Sequence, residues 1–447
     1  MASTYINRAF SSSSASTKAT WSYWLKISNV SSGENFVFAT RDANTNNYRT
    51  YFRINDNNSF AVFMYDAGGT LIVNKQTTRV FRDPSAWYHV VYRVDTTQAN
   101  VNDRVRLYVN NVEETSFTSD TNPSQNATIR TASSVYTAWG HNAPSGGAYF
   151  DGSMSHINFI DGTAYDPTAF GEYDANGVWT INTSPSVTYG TNGFFILKDG
   201  NSVTDQSGNS NNFTVAGGTL TNTEDNPSNV FATLNSLTKT GNDIKTVGNG
   251  NTSVTASSPN GWGSLYSTLG ASTGKFYCEV KITDTYGPDA NNFALGIQDV
   301  TTFNQSSNEE ISINSTGFAY KGNGNKNTNN SQTSYGNTYT TGDIVGVAMD
   351  LDNQKLYFSK NGTWQNSGVP TSGSTGTGSA FDLVSGTTYV FGMASYYTQD
   401  DYQFNFGNGY FGTTAVASAG TNASGIGIFE YDVPTGYTAL STKGLNL

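Results

Sequence analysis

Alternation of apolar and polar residues with a period of two, renewed strand after strand, is what most narrows the folds open to this chain. Trp21, Tyr23, Leu25 and Ile27 share one face of an extended run, while Thr20, Ser22 and Lys26 take the other and Trp24 breaks the pattern. Strands are predicted at Tyr51–Ile54 and Ser59–Tyr65, then a break at Arg82-Asp83-Pro84-Ser85, then the apolar run Trp87–Asp95. Arg104–Val109 sets Val105, Leu107 and Val109 opposite Arg104, Arg106 and Tyr108, and Asn110-Asn111 supplies a turn. Later, Val345, Val347 and Met349 lie on one face, Asp352-Asn353 turn, and Leu356 and Phe358 return, which predicts a hairpin over Asp343–Asn361. No stretch longer than about ten residues keeps helical spacing without Gly, Pro or Asn interrupting it. The chain reads as all-β.

Composition agrees and removes several function classes. Only 13% of the 447 residues are charged, another 13% are aromatic, and there are 46 glycines. Disordered chains lean the other way, towards high charge and few aromatics. The net charge is −11 and no Lys/Arg cluster appears, so a nucleic-acid partner is not expected. No run approaches the ~18 apolar residues of a membrane span, so no membrane insertion is expected either. The amino terminus, Met1-Ala2-Ser3-Thr4-Tyr5, has neither the basic nor the apolar segment of a secretory signal. The lone Cys278, in Phe276-Tyr277-Cys278-Glu279-Val280, is predicted to be a buried, inert thiol.

The alternation loosens after about Phe170 and restarts near Lys239. This predicts two antiparallel jelly-roll or β-sandwich domains, residues 1–170 and 238–447, joined by a short-strand connector over 171–237. Loops are predicted at Thr283–Asn292, Gly322–Gly336, Thr371–Ser379 and Ser395–Asp401.

Two sets of residues carry family resemblances. Ala86-Trp87-Tyr88-His89-Val90-Val91-Tyr92-Arg93-Val94-Asp95, then Arg106-Leu107-Tyr108-Val109-Asn110-Asn111, then Tyr149-Phe150-Asp151-Gly152 before Met154–Ile160, resemble the laminin-G/concanavalin-like family. Gly274-Lys275-Phe276-Tyr277-Cys278-Glu279-Val280, the Asp343–Asn361 hairpin and Phe404-Asn405-Phe406-Gly407 resemble the SPRY domain, a binding module. Both resemblances imply two-sheet sandwiches, concanavalin-like first and SPRY-like second. The ending Pro434-Thr435-Gly436-Tyr437-Thr438-Ala439-Leu440-Ser441-Thr442 is similar to a tail common in proteins of marine tailed phages, as are Phe159-Ile160-Asp161-Gly162 and Asp205-Gln206-Ser207-Gly208-Asn209-Ser210-Asn211. That similarity implies a virion-surface protein (tail fibre, adhesin or capsid decoration), made in the host cytoplasm without a signal peptide. Its implied partners are other virion proteins and a host glycan or receptor, met as a homo-oligomer for which a trimer is the first expectation.

The sequence patterns of catalysis are incomplete in this chain. Glycan cleavage needs two carboxylates at fixed separation across the sugar, and the glycanases of this architecture set acids at alternate positions of one strand. Glu172-Tyr173-Asp174 and Glu430-Tyr431-Asp432 lack a third acid, and Glu113-Glu114 and Glu309-Glu310 are adjacent, so they point to opposite faces of a strand. A Ser-His-Asp triad has no Gly-x-Ser-x-Gly elbow to support it, and His89, flanked by Val and Tyr, is expected in the core. Asp350-Leu351-Asp352-Asn353 fails the EF-hand spacing, with Lys355 and Asn361 at the positions that need Gly and Glu. No cofactor is expected, with calcium at a loop rim left open and unassigned. A non-catalytic binding protein is the expectation; the alternatives are a bacterial surface adhesin and a polysaccharide-degrading enzyme. The candidate ligand-binding residues are the loop tyrosines Tyr286, Tyr396 and Tyr397, since a ring face packs on a sugar or side chain while its hydroxyl hydrogen-bonds. Trp21, Trp87 and Trp262 are assigned to core.

Overall fold

The computed structural model describes residues 3–28, 33–42, 48–142, 147–198, 200, 202–238, 240–241, 245–256, 261–285, 291–302 and 310–447. Among these, strands and single-turn 3₁₀ helices are the regular elements. The chain divides into two compact units, Met1–Asn222 and Thr223–Leu447.

The first unit is a sandwich of two antiparallel sheets. One, of eight strands, runs from the edge strand Phe117–Thr121 across to Thr214–Gly217; the other, of six, centres on Trp87–Asp95, Lys18–Ile27 and Gly152–Asp161. Every predicted inward residue of the first alternating run, Trp21, Tyr23, Leu25 and Ile27, lies in the core with Phe38, Phe52 and Tyr92. The packing is aromatic: Phe52 and Tyr92 stand 4.2 Å apart between ring centroids, and Phe38 and Trp139 4.7 Å. Asn110 and Asn111 both take positive φ, 51° and 64°, and close the turn where it was predicted.

The other face of Lys18–Ile27 is not open to water. Thr20, Ser22, Trp24 and Lys26 are buried as well, because residues 163–191 lie over them. Thr20 Oγ1 donates to Thr163 O at 2.9 Å and Tyr189 Oη to Asn158 Oδ1 at 2.8 Å, while Arg93 pairs with Asp166 at 3.1 Å. Residues 171–237, read as a connector, are thus divided between the units. Phe194–Ile196 extends the six-stranded sheet beside Gly152–Asp161, and Thr214–Gly217 pairs with Tyr5–Arg8. The bridges Phe231↔Ser441 and Leu234↔Ser267 tie the remainder into the second unit. The cause is burial: Phe194, Ile196 and Phe213 belong to the first core.

The second unit repeats the architecture with a seven-stranded and a nine-stranded sheet. The predicted hairpin forms as Ile344–Asp350 against Lys355–Lys360, and Val345, Val347, Met349, Leu356 and Phe358 all enter the core with Phe276, Cys278 and Val280. The Asp350 carboxylate accepts from Asn353 N at 2.9 Å and from Lys275 at 3.0 Å, which makes Asp350–Asn353 a hairpin turn. Gly322–Gly336, read as a loop, contains the hairpin Asn325–Thr328 and Ser331–Ser334 at the sheet edge. Its outermost strand is exposed throughout, so it carries no apolar alternation to read. Tyrosines are frequent among the largest fully buried side chains of both units: Tyr23, Tyr92, Tyr277, Tyr320, Tyr339, Tyr357, Tyr389, Tyr402 and Tyr437.

Outward from Lys275–Asp284 point Tyr277 and Glu279, and the end of the chain covers them. Phe429, Val433, Tyr437 and Ala439 pack with Tyr277 in a separate apolar cluster. On the seven-stranded sheet, the outer face is paved with Ala294, Ala319 and Ala394 around Ile311 and Tyr266. At Gly392 an added Cβ would stand 2.8 Å from both Ile311 and Tyr266, so glycine lets the 310–316 segment lie flat on the sheet.

Candidate functional site

Strand register places the candidate tyrosines. Phe293 pairs with Ser395, and Ala294 with both Ala394 and Lys321, so three strands end together. Just beyond them come Asn291 and Asn292, the pair Tyr396-Tyr397, and the turn through Asn323. Backbone bonds fasten this rim: Tyr396 N to Asn292 O at 2.9 Å, Gly261 N to Tyr396 O at 2.9 Å and Gly322 N to Phe293 O at 3.2 Å. Tyr397 N donates to Asp400 Oδ2 at 3.2 Å. Tyr286 lies outside the described residues.

Tyr396 and Tyr397 are half-buried. Their rings meet edge to face at 5.2 Å, and Tyr396 meets Trp262 the same way at 5.8 Å. Trp262, assigned to core, is half-buried too and belongs to this rim, with Lys321 Nζ 5.0 Å from its ring centroid. Beside the rings lies a set of linked carboxamides. Asn291 Oδ1 accepts from Asn323 Nδ2 and Gln332 Nε2, both at 3.0 Å. Gln332 Oε1 accepts from Asn323 Nδ2 at 3.2 Å and Asn325 Nδ2 at 3.3 Å. Amides offer donor and acceptor on one planar group. Mutual bonding holds them in fixed orientations while the exposed Asn291 and Gln332 stay accessible. Ring faces beside oriented amides match a ligand of hydroxyls and apolar patches.

The first unit holds an arrangement that superficially looks catalytic. Ser22 Oγ lies 2.8 Å from His89 Nε2. The other ring nitrogen, Nδ1, receives the indole N–H of Trp179 at 3.0 Å. An indole only donates, so Nδ1 is an acceptor and the proton of the neutral ring sits on Nε2, which donates to Ser22. A general base for serine needs the opposite sense. Trp24 and Trp179 stack on the imidazole at 4.8 and 5.9 Å, and complete burial drives its pKa from 6.5 down to about 3. His89 is the neutral core histidine expected from its neighbours. The outward positions of the two central strands, Thr20, Ser22, Trp24 and Lys26 with Trp87, His89, Val91 and Arg93, carry an acid only at the strands' common end, where Asp95 pairs with Lys18 at 3.4 Å.

Glu279 is the group with the opposite charge logic. It is fully buried, and Glu430 N, Tyr431 N, Tyr277 Oη and Asn405 Nδ2 donate to its carboxylate at 2.8, 2.8, 3.2 and 3.3 Å. Burial outweighs these donors and raises its pKa from 4.5 to about 7. Cys278 is buried, and desolvation pushes its thiol well above the usual range.

Comparison with known proteins agrees with this division. Residues 2–165 match the concanavalin A-like lectin/glucanases superfamily model, and residues 275–409 match the SPRY domain model. The chain carries a concanavalin A-like domain followed by a SPRY domain. Among curated proteins it is similar to the ATP-dependent RNA helicase Ddx1 of Drosophila melanogaster, 34% identical over 96 residues, and to DDX1 of Xenopus laevis, 32% identical over 101. These matches span 22% and 23% of this chain and 12% of each relative. Among solved structures it is similar to the SPRY domain of human HERC1, 17% identical with a TM-score of 0.29 over 36% of this chain and 91% of that one. A second human SPRY domain is 14% identical, with a TM-score of 0.27 over 36% and 93%.

Within the second unit, two of the three candidate tyrosines come together, and Trp262, Asn291, Asn323, Asn325 and Gln332 join them. In a chain this rich in Asn, four more carboxamides carried no signal. Only the strand register brings them to one end of one sheet.

Proposed function

We propose that this chain is a non-catalytic recognition protein whose SPRY rim binds a host-surface glycan or glycoprotein, displayed in several copies on a tailed-phage particle. The observation that carries the reading is the rim itself: half-buried rings of Trp262, Tyr396 and Tyr397 beside bonded carboxamides of Asn291, Asn323 and Gln332. Sugars offer an apolar ring face for the aromatics and hydroxyls that each give and take a hydrogen bond, which amides answer. A shallow site of this kind binds weakly, and repetition supplies avidity without new contacts, which favours a symmetric oligomer with a trimer as the first expectation. Placement on a particle rests on the phage-like segments Phe159–Gly162, Asp205–Asn211 and Pro434–Thr442.

Tyr397→Ala combined with Asn323→Ala should lower adsorption to host cells or envelope glycans at least tenfold, while the melting temperature moves by no more than a few degrees. Unchanged adsorption by a folded variant would remove the rim from recognition. Release of reducing ends from host polysaccharide by the wild-type protein would replace binding with hydrolysis. Peptides of this chain in a mass-spectrometric inventory of purified particles test the placement separately.

A further inference from the structure

Beneath the rim, three side chains form a sealed cluster that the recognition reading does not use. Lys321 and Asn327 project from the same face of neighbouring strands, since Asn327 pairs with Ala319, two residues before Lys321. Such diagonal neighbours stand roughly 7–8 Å apart at the backbone, within reach of a long side chain. Glu310 lies between their ends. Its Oε2 is 2.7 Å from Lys321 Nζ, and its Oε1 accepts from Asn327 Nδ2 at 2.5 Å. Ser312 Oγ donates to the same Oε1 at 2.5 Å and accepts from Asn327 Nδ2 at 2.8 Å. Relative exposures are 2% for Lys321, 8% for Glu310 and 1% for Asn327, with Trp262 over the ammonium. Asn327 Oδ1, also buried, has no hydrogen-bond partner.

An amine and a primary carboxamide, each hydrogen-bonded to the same acid and shielded from water, are the reactants of an amide exchange, with the acid as its proton carrier. We propose that Lys321 and Asn327 condense, with Glu310 as general acid and base, into an intramolecular isopeptide bond. Moving one proton along the Lys321–Glu310 hydrogen bond gives the amine lone pair and the acid that the step needs. The amine lone pair of Nζ attacks Cγ of Asn327, and the charge that builds on Oδ1 collapses back as the Cγ–Nδ2 bond breaks. Glu310 passes its proton to the departing Nδ2 and takes one from Nζ, so ammonia leaves and Glu310 ends protonated. Five exchangeable hydrogens enter, three on the ammonium and two on the amide. Five remain, one on the new amide, three on ammonia and one on the acid. No oxidant or co-reactant is required, and exclusion of water keeps hydrolysis of Asn327 from competing.

Two outwardly similar trios act as internal controls. Lys275, Asp350 and Asn353 associate, as do Lys360, Asp343 and Asn361, but Lys275 is 22% exposed and Lys360 26%. Water reaches those two sites, so they stay unlinked. The product at Lys321 would staple the turn that carries Asn323 to the sheet below the rim.

The test is the mass of the purified full-length protein. The wild type should be lighter than its composition by one ammonia, and Lys321→Arg and Asn327→Ala should each carry their full calculated mass. Glu310→Gln should abolish or strongly slow the loss. Trypsin cuts after Lys326, between the two partners, so the denatured wild type should release a branched peptide still joined through Lys321 and Asn327. An unreduced intact mass, or an ammonia loss confined to an unbranched peptide, would overturn the assignment.

Discussion

The strands Lys18–Ile27 and Lys275–Asp284 occupy equivalent places in the two units, each buried on both faces, yet they meet opposite electrostatic demands. In the first, residues 163–191 seal the outer face around a neutral imidazole held between Ser22 and Trp179. In the second, the last part of the chain seals it around a carboxyl held by Glu430, Tyr431, Tyr277 and Asn405. Burial disfavours the charged form in both cases. For the histidine that form is the protonated one; for the glutamate it is the deprotonated one. The same geometric problem thus gives two units that respond to acid in opposite directions.

The largest effect should come from cutting the first cover. A fragment ending at residue 170 loses the outer hairpin, the strand Phe194–Ile196 and the core side chains Phe194, Ile196 and Phe213. It should show no cooperative melt, whereas residues 1–222 and 223–447 should each melt cooperatively. Equal melts for 1–170 and 1–222 would make the cover an ornament and end the comparison.

The pH responses come next. His89 holds no proton until about pH 3, while the unfolded chain takes one up near 6.5. Stability is therefore lost as pH falls below 6.5, by about 1.4 kcal/mol per unit in the first units below it. Glu279 keeps its proton up to about pH 7, while the unfolded chain releases it near 4.5. That stability is present below 4.5 and lost as pH rises to 7, about 3 kcal/mol in all. Denaturant unfolding of each unit between pH 5 and 7, compared with His89→Phe and Glu279→Gln, isolates these contributions from other titrating groups. Variants that keep the wild-type slope would show that neither group sets the response.

Trp179→Ala removes a half-buried ring and leaves His89 Nδ1 without its donor. It should cost the first unit about 2 kcal/mol in a urea titration. The second unit should be indifferent; a loss shared by both would mean that the covers are not independent. At the small end, reductant should leave both melting temperatures unchanged, because Cys278 has no partner cysteine in the chain. A shift of several degrees would reveal a disulfide between chains.

Much of the sandwich architecture was legible because period-two alternation names the inward residues directly, as Trp21 to Ile27 and Val345 to Phe358 show. The covers were not. Ser22 and Lys26 are polar, and polar residues opposite an apolar face read as solvent-facing; nothing local announces that Trp179 will cross to His89. The same holds for Glu279, two of whose four donors are backbone groups from 430 and 431. Of the candidate site, Tyr396 and Tyr397 were legible as aromatics in a loop-like segment. Trp262 packs against the outer alanine cluster as a core assignment implies, but its half-burial and its contact with Tyr396 were not legible, and the amides became a site only through register.

The tyrosines in both cores have a consequence for how the molecule is observed. Burial holds the phenols of Tyr23, Tyr277, Tyr339 and Tyr402 un-ionised well past the ordinary range. In an alkaline ultraviolet titration their phenolate absorbance therefore stays dark until a unit opens. The chain carries its own chromophore for unfolding, at least one in each unit, with no label attached.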